Sequence, residues 1–340
     1  MRSIIFQKRG FFYLIVPQIM VFLKITSAPN PYKSRVFCVW SKPYNRLMIG
    51  SPGSGKTMLA QRLPGILPEM SFDEAIDVTK IHSVAGTLPS TAPIISMRPF
   101  RCPHHTTSSV SLAGGGRVPR PGEISLAHNG VLFLDELPEF RKDALEALRQ
   151  PMEDGVVNIS RVTATITYPS NFMLVAAMNP CPCGYFGDPK RRCVCTPAAI
   201  HKYLGKISGP MLDRIDLHID VAPVEYSHLT GKAREESSLD IRKRVNKARQ
   251  IQIQRYKDYN IYSNSQLTSS MLEKFCKLGE KENAVLSAAF EKMGLTARAY
   301  SRIVKVSRTI ADLEGSPDIR VNHIAEALQY RTLDRKYYNR

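Results

Sequence analysis

Eight residues, GSPGSGKT from Gly50 to Thr57, carry the most specific chemistry in this chain. They fit G-x-x-x-x-G-K-[ST], the pattern of a loop whose backbone N–H groups wrap the phosphates of a nucleotide. Gly50, Ser51, Pro52, Gly53, Ser54 and Gly55 supply backbone in that pattern. Lys56 would reach the β- and γ-phosphates of ATP, and Thr57 would hold Mg²⁺. Further on, VLFLDE ends an apolar run in two acids, Asp135 and Glu136. Asp135 would complete the Mg²⁺ shell and Glu136 would polarise the attacking water. The plainer interpretation is a pair of acids capping the next helix. A phosphate loop upstream favours hydrolysis.

Other residues are less specific. Asn179 ends LVAAMN, where its amide could lie near the γ-phosphate or the water. Arg214 in PMLDRID could be supplied across a subunit interface to stabilise charge in phosphoryl transfer. Arg298 in TARAYSR could close onto the nucleotide and report its state. Position alone favours a surface ion pair for either arginine, worth little. Cys181, Cys183, Cys193 and Cys195 form C-x-C-x₉-C-x-C. Four thiolates in so short a span could bind Zn²⁺ tetrahedrally, as a structural site with no open position. A reduced loop without metal is equally compatible, since C-x-C is tighter than the usual C-x₂-C. His104 and His105 beside Cys102 invite a second metal reading. Adjacent side chains point apart, so a packing loop is preferred there.

These residues need a scaffold that brings them to one edge. RLMIG (46–50) is a short apolar strand entering the Gly-rich turn, and 57–67 follows with a helical pattern. Residues 72–86 suggest a second helix, and 87–122, rich in Pro, Gly, Ser and Thr, suggest mostly loop. VLFLDEL, NFMLVAAMNP and DLHIDVAP are apolar runs of the kind that parallel strands buried on both faces require. FRKDALEALRQPME (140–153) scans as one amphipathic helix, and VVNISR with ATITYP as a hairpin. The hairpin carries Arg161, thin evidence for a grip on DNA phosphates. Strands alternating with helices predict an α/β domain with a parallel sheet. After about residue 230 strand runs stop, and the helical patterns 296–315 and 321–331 predict a helical domain.

Charge and composition narrow the class. The net charge is +17, but residues 1–68 hold ten Lys or Arg and no acid, leaving +7 for the other 272 residues. Such a body can meet DNA without having to. IRKRVNKARQIQIQRYK (241–257) is a basic run that serves equally as a solvated helix face. Of seven cysteines, four fall within 181–195, which is no disulfide framework and points to a reducing, cytoplasmic setting. Residues 11–23 mimic a signal peptide but are short and interrupted by Pro17 and Gln18, so no stable membrane insertion is expected.

PFRCPHHTTSSVSLAGGGRVPRPGEISLAHNGVLFLDELPEF (99–140) resembles the Mg-chelatase-like AAA+ ATPases, and within them the bacterial ComM/YifB group. NPCPCGYFGDP, SGPMLDRIDLHIDV and GLTARAYSRIVKVSRTIADLEG look like later signatures of that group, so the resemblance covers about 46–335. It implies an α/β fold: an AAA+ P-loop NTPase core over 46–228 and a C-terminal helical lid domain over 229–340, working as a hexameric homo-oligomer. It implies Lys56 and Thr57 in Walker A, Asp135 and Glu136 in Walker B, Asn179 as sensor 1, Arg214 as arginine finger and Arg298 as sensor 2. The implied function is Mg-dependent ATP hydrolysis coupled to remodelling single-stranded or branched DNA, as in branch migration during natural transformation. The alternatives are a chelatase-type subunit assisting metal insertion, or a truncated fragment without function. Residues 1–45 match nothing in the group, and neither its usual Lon-protease-like domain nor the segment that touches adenine is visible. The expectation is a frameshifted or misassigned start. Ser51 stands where the group commonly has Pro.

Overall fold

The computed structural model describes residues 44–88, 93–116, 118–160, 165–223 and 236–331. Arg161, the amino-terminal segment before residue 44 and the junction expected near 229 lie outside these residues.

Five strands form the central sheet: β1 (Arg46–Ile49), β2 (Phe100–Arg101), β3 (Val131–Leu134), β6 (Met173–Met178) and β7 (Leu217–Asp220). Their spatial order is β2-β3-β6-β1-β7, and every neighbouring pair is parallel. The near-continuous apolar runs follow from this arrangement. Successive side chains leave opposite faces of a strand, and here both faces are covered. Met48, Phe133, Val175 and Ile219 enter one core, while Leu47, Leu132, Leu134 and Leu174 enter the other. The strands expected at 46–50, 131–137, 171–180 and 216–223 are all present. β2 was not anticipated, because two residues are too few to show a period.

Two further strands, β4 (Val156–Ser160) and β5 (Thr165–Pro169), pair antiparallel as the expected hairpin. The region 140–153 departs from the single helix its pattern suggests. It breaks into Lys142–Glu146 and Arg149–Asp154. Pro151 has no N–H to donate to the carbonyl of residue 147 and its ring crowds that carbonyl, so the helix cannot run through.

Helix α1 (Lys56–Ile66) leaves the phosphate-type loop and buries Leu59, Ala60, Leu63 and Ile66 against the sheet. Helix α2 (Phe72–Ala85) starts at a capping box made by Ser71 and Glu74 and stops at Gly86, φ 72°. From residue 236 onward the described residues are helical, led by α4 (Ser238–Arg255), α5 (Glu280–Met293), α6 (Ala297–Glu314) and α7 (Val321–Gln329); α3 (Pro197–Leu204) precedes them. Ile241 and Val245 of α4 and Ile303, Val304 and Ile310 of α6 join the same apolar core as α1. Tyr44 ties the strand side to α6 through its hydroxyl, which lies 2.8 Å from Thr309 Oγ1 and donates to the Lys305 carbonyl at 3.0 Å. The fold is therefore mixed α/β with a parallel sheet, followed by a helical region packed on it. Among the described residues no helix is long and apolar enough to cross a membrane.

Candidate functional site

In a parallel sheet all strands deliver their following residues to one edge. β1 runs into Gly50, β3 into Asp135 and β6 into Asn179. Hydrogen bonds fix these exits beside one another: Gly50 N–H donates to the Met178 carbonyl at 3.2 Å, and Val221 N–H to the Ile49 carbonyl at 2.7 Å. The topology thus places the GSPGSGKT loop, the two acids and the asparagine at the carboxyl edge, where α/β sheets bind ligands.

The loop turns into α1 through Gly55 in the left-handed region, φ 86°, which a side chain would strain. The amino end of α1 then presents unpaired N–H groups to that edge. Lys56 is buried, and its Nζ donates to the carbonyls of Gly50 (2.8 Å) and Ser51 (2.9 Å), with Ser54 Oγ (3.3 Å) and Asn179 Oδ1 (3.4 Å) sharing its third N–H. Burial pushes the Lys56 ammonium below its ordinary range, and the Asp135 carboxylate opposes that shift. A buried cation held by carbonyls at the mouth of a helix suits a phosphate, whose charge would repay the desolvation better than neutral oxygens do. Thr57 Oγ1 donates to Asp135 Oδ2 at 2.7 Å. That pairing sets a hydroxyl and a carboxylate at the spacing of two oxygen ligands on one hard cation. The residues present therefore fit a nucleotide and Mg²⁺.

Glu136 adopts φ 52°, an uncommon conformation for a side chain with a Cβ. The turn swings its carboxylate away from the strand, where it stays half exposed and meets His105 Nδ1 at 3.2 Å. His105 was not singled out as a partner of the acids, and spacing alone could not have found it, since 31 residues separate it from Glu136. His104 and His105 also do not point apart: their ring centroids lie 4.1 Å from each other.

The structure does not bring Arg214 and Arg298 to this edge. Asn45, at the start of β1, donates through Nδ2 to the Arg214 carbonyl at 3.1 Å. Five residues of chain separate that point from Gly50, about 16 Å of strand. Both arginines contact one carboxylate oxygen, Glu153 Oε1, at 2.7 Å for Arg214 and 3.3 Å for Arg298. In this chain Arg298 therefore lies with Arg214 at Glu153 rather than beside the phosphate-type loop. For Arg214 the reason is topological: it precedes the strand β7, and a residue preceding a parallel strand sits at the edge opposite to residues that follow one; Arg298, on α6, reaches that place through its contact with Glu153.

The four cysteines converge. Their Sγ atoms all lie within 4.8 Å of one another, a group that could hold a metal ion.

Residues 40–229 match the family described as magnesium chelatase, subunit ChlI, and residues 235–331 match its C-terminal family. The competence protein ComM of Haemophilus influenzae is 48% identical over 293 residues, covering 86% of this chain and 56% of the relative. The YifB protein of Escherichia coli is 45% identical over 294 residues, with the same coverages of 86% and 56%. The magnesium-chelatase 67 kDa subunit of Chlorobaculum parvum is 29% identical over 130 residues, 38% of this chain and 18% of that protein. The chain spans about half the length of the ComM and YifB relatives it matches.

Proposed function

The chain belongs to the magnesium chelatase subunit ChlI family, and from that premise we propose that it is an Mg-dependent AAA+ ATPase that remodels DNA. The observation that carries the proposal is the 2.7 Å pairing of Thr57 with Asp135 beside the buried Lys56 ammonium. Backbone N–H groups of the Gly50–Thr57 loop and the amino end of α1 would bind the phosphates of ATP, with Lys56 trading its carbonyl partners for them. Thr57 and Asp135 would hold Mg²⁺, which when bound supplies charge neutralisation on the phosphate oxygens. Glu136, turned out by its left-handed backbone, would accept the proton of the attacking water, and Asn179 would orient that water from its place beside Lys56.

Arg214 and Arg298 act in the neighbouring subunit's site in this proposal. Their placement at the opposite edge supports a closed ring, in which that edge of one subunit meets the nucleotide edge of the next. We take the ring to be hexameric and cytoplasmic, with residues 46–228 as ATPase core and 229–340 as lid. The similarity to a protein named for competence supports DNA as the remodelled partner. The test is the ATPase rate against protein concentration, with and without single-stranded and forked DNA. Cooperative, DNA-stimulated turnover is expected. Turnover that ignores DNA but rises with an added partner subunit would favour chelatase-type metal insertion, and absence of turnover at every concentration would overturn the proposal.

A further inference from the structure

Chain adjacency and a close packing contact connect the cysteine cluster to the nucleotide edge. Cys181 follows Asn179 by two residues, just beyond the end of β6 at Met178. Gly184, φ 85°, packs so closely on the phosphate-type loop that a Cβ there would lie 2.5 Å from Pro52 Cδ. Lys56 Nζ reaches Asn179 Oδ1 at 3.4 Å. The loop 181–195 is therefore one wall of the candidate site.

That loop lacks a core of its own. It is built from turns, with Gly184 N–H donating to the Cys181 carbonyl at 3.0 Å and Asp188 N–H to the Tyr185 carbonyl at 3.1 Å. Phe186 is its apolar contact with the adjacent core. A short irregular segment of this kind needs a staple to hold one shape. A disulfide does not provide it: all four thiols are free, and Cys181 Sγ lies 3.3 Å from Cys183 Sγ, far beyond an S–S bond. Cys181 to Cys193 is 3.7 Å and Cys183 to Cys193 is 3.6 Å. Thiolates placed tetrahedrally about 2.3 Å from Zn²⁺ stand about 3.8 Å apart, close to these separations. Cys183 N–H also donates to Cys195 Sγ at 3.4 Å, the outer hydrogen bond that metal-bound thiolates commonly accept. Apolar packing does not explain the convergence, because only Cys181 of the four is buried.

We propose that Cys181, Cys183, Cys193 and Cys195 bind one Zn²⁺ in a closed tetrahedral site, and that this site braces the Pro52 and Asn179 wall of the nucleotide pocket. The metal site stands independently; its coupling to the pocket rests on the nucleotide reading given above. Four protein ligands leave no open position, so the ion is structural. By linkage, a brace that favours nucleotide binding must itself be favoured by nucleotide.

The experiment uses the full chain. Metal content is measured after purification, and the metal-free protein is titrated with Co²⁺ as an optical probe. One zinc per chain and a thiolate-to-cobalt charge-transfer band with tetrahedral d–d bands are expected. Both should be lost in Cys183→Ser/Cys195→Ser and kept in Cys102→Ser/Cys276→Ser. A folded chain without metal, whose four thiols all react with a thiol reagent and give no charge-transfer band with Co²⁺, would overturn the site. Nucleotide affinity is then measured by fluorescent-ATP titration before and after chelation. Weakening by about tenfold, with slower zinc release when nucleotide is bound, is expected for coupled sites. Equal affinity in both states overturns the brace while leaving the zinc site standing. No nucleotide binding even to the zinc-loaded chain refutes the nucleotide reading, and with it the brace.

Discussion

At the scale of single residues, the candidate site holds the groups proposed for binding differently from the group proposed for proton transfer. Lys56 and Thr57 sit on a helix end and Asp135 on a strand end, so their positions follow from rigid elements. Glu136 is held differently, by a strained backbone and a histidine contact. Strain at one acid of an adjacent pair is a sign of a role that ordinary geometry does not serve. Glu136→Gln should keep the nucleotide Kd near its original value while lowering turnover by about 10²- to 10⁴-fold. Parallel ATPase and nucleotide-binding assays check this, and full turnover would remove Glu136 from the mechanism. Lys56, Thr57, Asp135, Glu136 and Asn179 were legible in sequence because each closes a recognisable pattern. His105 was not, because its partner lies across a loop that no spacing rule describes.

At the scale of elements, burial of charge decides how the helical region holds together. Asp312 on α6 is buried and accepts from Arg255 (2.6 and 3.1 Å), Arg308 (3.1 Å), Asn264 (2.8 Å) and Gln252 (2.7 Å). This carboxylate ties α4, the 264 turn and α6 to one point. Asp312→Ala would leave the buried Arg308 guanidinium uncompensated and should cost about 3–5 kcal/mol, read by denaturant unfolding. Internal contacts, one of them to Asp312, also revise the meaning of the basic run at 241–257. Arg242 donates to the Gly65 carbonyl at 2.9 Å, Arg244 pairs with Glu236 at 2.6 Å, and Arg255 pairs with Asp312. Much of the run is committed to internal contacts rather than offered to a polyanion.

Buried histidines, His82 and His128 among them, add a pH dependence at this scale. Burial holds both His82 and His128 below the ordinary imidazole value. His128 Nδ1 accepts the Asn171 N–H at 3.0 Å, which requires that nitrogen unprotonated. The unfolded chain takes up these protons below about pH 6.5, whereas the folded chain resists them. The stability they contribute is therefore present above that pH and is lost as pH falls toward the folded values. The melting temperature should drop between about pH 7.5 and 5.5, and His128→Asn should flatten part of that slope. A steeper slope in the variant would contradict the assignment.

At the scale of the whole molecule, the two ends of the sheet carry different halves of the proposed chemistry. The carboxyl edge holds the phosphate-type loop and acids, and the opposite edge holds Arg214 and Arg298 on Glu153. If these halves meet only between subunits, Lys56→Ala and Arg214→Ala should each abolish turnover alone. Mixing the two should restore part of it, because some interfaces then pair an intact loop with an intact arginine. Activity measured across mixing ratios checks this, and a strictly additive result would place both residues in one subunit's site.

The sequence by itself determined the class of fold and singled out the loop proposed to hold phosphate. Apolar runs ending in Gly, Asp or Asn are local signals, and a parallel sheet buried on both faces reads them almost directly. Helix ends were equally local: Ser71, Gly86 and Gly315 cap where they stand in the chain. Only the tertiary structure decided which residues share an edge. Arg298 near Arg214, His105 on Glu136, Gly184 against Pro52 and the convergence of four thiols are contacts between distant segments. Strand order and loop path create those contacts, and neither leaves a period in the sequence to be read.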